Sequence, residues 1–126
     1  MKTKVLILSF LLMLIFGTCY AEEWGKLYSG DNYTVYVDTY SLKSYMNGNS
    51  QMVKAKTKTA KNDSPTNYYI QLVYINTDKN IFTISYRDDY RNNQFISRYN
   101  CENNGLIWTD CGSDDNYLKE LIKRAN

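Results

Sequence analysis

From Trp24 to Cys101 the apolar positions recur with a period of two, and near the end of the chain the period lengthens to that of a helix. Tyr33 to Asp38 (YTVYVD) is dense in β-branched and aromatic residues and predicts a strand. Gly30-Asp31-Asn32 precedes it, and a turn-like Asp38-Thr39-Tyr40-Ser41 follows. Asn47-Gly48-Asn49 predicts a hairpin turn, because Asn-Gly tolerates the positive φ of tight turns. Gln51 to Thr59 then alternates, with Met52, Lys54, Lys56 and Lys58 on one side and Val53, Ala55, Thr57 and Thr59 on the other. Tyr68–Asn76 and Ile81–Arg87 are apolar enough to be central strands joined by a turn at Thr77–Asn80. Lys61–Asn67, which holds the only proline, reads as a loop, and so does Asp88–Asn93. Gln94–Cys101 reads as another strand, and Leu106-Ile107-Trp108 as a short last strand or a packed bridge.

Tyr117, Leu118, Leu121, Ile122 and Ala125 fall on one stripe of a helix. Ser113 is its expected N-cap, and Asp114 and Asp115 suit the positive end of its dipole. Glu120 and Arg124 sit four apart on it. So short a helix is marginal alone and must dock its stripe on the sheet. The expected fold is α+β, mainly β: a single antiparallel sheet of about six strands with a C-terminal helix packed on it.

The first 21 residues follow another pattern. Lys2 and Lys4 precede an apolar run from Val5 to Phe16, and Cys19-Tyr20-Ala21 ends in a small residue. That order is a secretory signal peptide, cleaved after Ala21, and its apolar run is too short to span a bilayer. Residues 22–126 are then one domain with no transmembrane segment. A rival reading lipidates Cys19, although Thr18 and Phe16 make a poor lipoprotein signal. Of 15 basic residues the leader takes two, leaving 13 against 13 acidic ones. A balanced domain has no bulk electrostatic reason to bind nucleic acid. Export leaves Cys101 and Cys111 as an even pair, which reads as a disulfide worth roughly 3 kcal/mol by chain entropy, tying the helix base to the sheet.

Catalytic chemistry is short of parts. There is no histidine, so the commonest general base and zinc ligand is missing. No phosphate loop, nucleophile elbow or calcium loop occurs. The adjacent carboxylates Asp88-Asp89 and Asp114-Asp115 are the remaining candidates, but neighbours in extended chain point to opposite faces. The expectation is a protein that is not an enzyme and has no cofactor and no metal.

Two features can bind a partner. The stripe Lys54, Lys56 and Lys58 is either a charge-protected edge strand or a cationic ridge for an acidic protein or glycan. Tyrosine supplies the second: 13 in the chain, 12 after removal of Tyr20, among them Tyr33, Tyr36, Tyr40, Tyr45, Tyr68, Tyr69, Tyr86 and Tyr90, with Tyr68 and Tyr69 the expected contacts beside the lysines. An unpaired edge strand also allows a homodimer by sheet extension.

Trp24, then YTVYVDTYSL from Tyr33 to Leu42, then MVKAKTKT from Met52 to Thr59, followed by Cys101, Cys111 and a terminal helix, resembles the bacterial surface-adhesin protein E-like family. The resemblance spans most of the mature chain. It implies an antiparallel sheet with a C-terminal helix and, by the family's named member, an outer-membrane adhesin contacting host matrix and plasma proteins. It carries no catalytic residues. The expected function is therefore an exported, adhesin-like binding protein of a Gram-negative envelope, at the cell surface or in the periplasm. The alternative is a periplasmic inhibitor or envelope-assembly factor that binds a hydrolase or envelope protein, inserting the Asp88–Asn93 loop into a cationic cleft.

Overall fold

The computed structural model describes residues 22–112 and 116–126. The leader with Cys19 and Ala21, and the helix cap expected at 113–115, lie outside them. Eight strands form one sheet in which every pairing is antiparallel. They are β1 (Trp24–Ser29), β2 (Tyr33–Asp38), β3 (Lys43–Asn47), β4 (Ser50–Lys61), β5 (Tyr68–Asn76), β6 (Ile81–Arg91), β7 (Gln94–Asn100) and β8 (Thr109–Asp110). Six of them run in the order β1-β2-β4-β5-β6-β7, with β3 added beside β4 and β8 beside β6. The helix α1 covers Asn116–Ala125. The expected mainly-β architecture with a C-terminal helix is what the chain forms.

The period-two alternation gives β4 two unlike faces. Val53 and Ala55 point into a core with Leu27, Val35, Val37, Val73 and Ile75, and Leu118 and Leu121 of α1 close it, each wholly buried. Burying a leucine of this kind contributes about 1.5–3 kcal/mol, which is how a ten-residue helix holds its place. Tyr117, Ile122 and Ala125 flank the contact. Among the described residues no helix is long and apolar enough to cross a membrane.

β4 is interior and not an edge. Its first half pairs with β3 and its second half with β2 on one side, while β5 runs along the other. Between those two partners the Lys56 N–H donates to Ser41 Oγ at 2.8 Å, which completes the ladder. The lysine stripe therefore protects no edge.

β6 is longer than its composition suggests. It continues through Asp88 and Asp89 to Arg91, so the acidic loop expected at 88–93 shrinks to the turn Asn92-Asn93. Both asparagines have positive φ, 53° and 61°, as a two-residue hairpin requires. Cross-strand pairing decides the outcome: Asp88 lies opposite Arg98, which neutralises a residue otherwise poor in strands.

The disulfide is a second correction. Cys101 and Cys111 are not joined. Asn100 pairs with Tyr86, whereas the Cys111 N–H donates to Asn80 O, so the two cysteines lie beside opposite parts of β6. Five residues of strand separate those places, on the order of 15 Å, and a disulfide needs Cα atoms about 4.4–6.8 Å apart. What holds the helix is the apolar stripe. Leu106-Ile107-Trp108 is exposed chain rather than strand, and the last pairing comes from Thr109–Asp110.

Candidate functional site

The face of the sheet opposite α1 carries Met52, Lys54, Lys56, Lys58 and Ala60 from β4. No helix or strand among the described residues covers it. Register brings aromatic rings to the lysines from both sides: Lys58 lies opposite Tyr36 of β2 and Ile70 of β5, and Lys54 opposite Tyr74. The Lys58 ammonium stands 4.4 Å from the Tyr68 ring centroid, 5.6 Å from Trp24 and 5.9 Å from Tyr36. Each ring presents the negative face of its quadrupole to the cation. The Tyr68 and Tyr90 rings stack at 4.7 Å, and Phe95 meets Tyr90 edge-on at 5.7 Å.

Two ion pairs flank this cluster. Lys56 Nζ lies 2.5 Å from Glu22 Oε1. Arg98 donates from Nε and Nη2 to the two oxygens of Asp88 at 2.6 and 2.8 Å, with its guanidinium 4.1 Å from the Tyr86 ring. Asp88 is nearly buried, at 7% exposure, so the bidentate pair answers a carboxylate that water barely reaches. That hydrogen bond, more than the opposing burial, raises the pKa of Arg98. Burial on its own would lower Lys56, but the Glu22 hydrogen bond and charge outweigh it and its pKa is raised. Burial, helped by Tyr90 and Glu22, pushes the Tyr68 phenol up.

These side chains enclose a cleft of about 300 Å³. Its cations are Lys56, Lys58 and Arg98, and its anions Glu22 and Asp88. With Lys56 and Arg98 each paired, Lys58 is left facing rings alone: among the described residues no carboxylate pairs with it.

Four of the five predicted contact residues share this face, namely Lys54, Lys56, Lys58 and Tyr68. Lys54 stands apart in a shallower hollow with Lys43, Tyr45 and Tyr74. Tyr69 is on the other face, as adjacent strand residues must be. There Arg87 covers its ring at 4.1 Å, in a second cleft with Lys61, Arg91 and Ile96 beside it. Trp24, Tyr36, Tyr86, Tyr90 and Arg98 complete the site; Tyr36, Tyr86 and Tyr90 are among the tyrosines noted in the sequence, whereas Trp24 and Arg98 were not offered as contacts. Tyr86, Asp88 and Tyr90 do alternate in the sequence, and that signal is readable once β6 is continued past Arg87.

Asp88 and Asp89 form no catalytic dyad, and Asp114 and Asp115 lie outside the described residues. Asp88 pairs with Arg98 and Asp89 with Arg87, on opposite faces of β6. Among the described residues no three His, Cys, Asp or Glu side chains are grouped to hold a metal ion. Comparison of the chain with family models, curated proteins and solved structures gives no match.

Proposed function

We propose that this is an exported, non-enzymatic binding protein that holds a macromolecular partner, a protein or a glycan, against the open face of its sheet. The observation that carries the reading is Lys58: an ammonium on an interior strand, ringed by Trp24, Tyr36 and Tyr68, with no carboxylate among the described residues to answer it. A cation left in that state gains from a ligand's negative group, and rigid amphipathic rings beside it supply contact area at low entropic cost. The resemblance to the surface-adhesin protein E-like family, together with the leader-like first 21 residues, favours display at the cell surface with host matrix or plasma proteins as partners.

The inhibitor reading relied on an acidic loop entering a cationic cleft. Asp88 and Asp89 stand in a strand and are each paired to arginine, so they offer no such loop. The binding reading does not need it.

Replacing Lys54, Lys56 and Lys58 by alanine is expected to weaken capture of matrix or plasma proteins and to flatten its salt dependence, with circular dichroism showing that the fold is retained. Unaltered capture would overturn the reading. Protease accessibility of the tagged protein on intact against permeabilised cells tests the surface placement, which predicts cleavage on intact cells.

A further inference from the structure

Resting on that binding reading, we infer that the cleft at Lys58 takes a carboxylated sugar residue of an acidic polysaccharide. Charge sets the first limit. Glu22 and Asp88 each answer one cation, so the site has room for a single negative group at Lys58. A densely charged phosphate or sulfate chain would meet two carboxylates with only one unanswered cation.

The paired carboxylates also have a positive use. A carboxylate has about four lone-pair sites. Asp88 is taken up by Arg98, but Glu22 directs only one toward Lys56 and its side chain is 37% exposed, which leaves acceptors for hydroxyl protons. Rings answer the rest of such a ligand. Trp24, which is only partly buried, offers a flat apolar face for the C–H side of a pyranose, and Tyr68 and Tyr90 bring phenol groups to the same cleft. One anionic group, several hydroxyls and an apolar ring face together describe a uronic acid. The cleft volume of about 300 Å³ suits one or two such rings.

An acidic peptide fits less well. Extended peptides gain much of their affinity by hydrogen bonding to an unpaired strand backbone. The floor of the cleft is formed by β4, β5 and β6, interior strands whose backbones are taken up by their neighbours on both sides and, at Lys56, by Ser41. A ligand here must be held by side chains alone, as saccharides are.

The test is calorimetric titration of the full domain with tetramers of galacturonate, of mannuronate and of the glucuronate–N-acetylglucosamine repeat. Hexaglutamate and carboxyl-reduced tetramers serve as comparisons. At least one carboxylated tetramer is expected to bind, its reduced form at least about tenfold more weakly. Lys58→Met, which keeps the apolar stem against the rings, should show the same loss, and Lys58→Arg should recover most of it. Circular dichroism of each variant shows that the fold is retained. Binding of hexaglutamate but of no tetramer would overturn the sugar assignment while leaving the binding reading intact. Binding of no tetramer by the wild type, or tetramer binding unchanged in Lys58→Met, would also overturn the assignment. The broader reading falls separately, when alanine at Lys54, Lys56 and Lys58 leaves matrix or plasma-protein capture unaltered.

Discussion

An ammonium held over aromatic rings gains on the order of 0.5–1 kcal/mol per favourable ring at an exposed site, and it still turns N–H groups to solvent. Lys58 is in that state, whereas Arg98 is committed to Asp88. The two residues should therefore respond differently to truncation. Arg98→Ala leaves a nearly buried carboxylate without its two donors and is expected to cost about 2 kcal/mol in urea unfolding. Lys58→Met leaves no such orphan and should change stability by less than about 1 kcal/mol. Equal costs for the two would mean that Lys58 has a structural partner of its own. At this scale the lysines were legible and their surroundings were not. Lys54, Lys56 and Lys58 lie within one strand, where spacing alone assigns a face. The rings around Lys58 come from β1, β2 and β5, and only the register of three strands brings them together.

Among the elements, the helix shows most plainly what local pattern can specify. Its stripe predicted the buried residues, and Leu118 and Leu121 are wholly buried. Leu118→Ala or Leu121→Ala should each destabilise the domain by about 2–5 kcal/mol. Lys123→Ala, on the exposed side of α1, should stay within about 0.5 kcal/mol. Chemical denaturation followed by circular dichroism separates these outcomes. Comparable effects would mean that the helix is not docked by its leucines. β4 shows the limit of such reasoning. Its alternation assigned each residue to a face, but nothing local distinguishes an edge strand from an interior one, since that depends on where β2, β3 and β5 settle. β6 failed for a related reason. Asp88 and Asp89 look like loop residues until Arg98 and Arg87 are placed beside them. The cysteines show the limit of compartment logic: export and an even count favour a bond, but the structure does not join Cys101 to Cys111.

The described residues form a sheet with two unlike sides, one covered by α1 and the other lined over β4 and β5 by rings and alkyl stems, with Thr83 Oγ1 of β6 donating to Ile107 O. Met52 and Ile70 are buried on that second side, at 4% and 6% exposure, because lysine stems and tyrosine rings lie over them. That arrangement depends on the protonation of the groups involved. Burial raises the pKa of Tyr45 and Tyr68 above 10.0, and Glu22, against burial, raises Lys56 above 10.5. A pKa higher in the folded than in the unfolded state contributes stability below the unfolded value, and that contribution is lost as pH rises through the folded one. Unfolding free energy is therefore expected to fall as pH is raised above about 10. In an absorbance titration Tyr45 and Tyr68 should ionise above the ordinary phenol value of 10.0. Stability that holds steady from about pH 9 to about pH 12 would contradict this picture of the open face.

The most direct test of that face as a binding surface is residue-by-residue mapping of amide chemical shifts as a carboxylated tetrasaccharide is added. The predicted changes cluster at Trp24, Tyr36, Lys56, Lys58, Tyr68 and Tyr90 and leave Leu118 and Leu121 still. Changes confined to α1, or to the cleft beside Lys61 and Arg91 on the opposite face, would contradict the account.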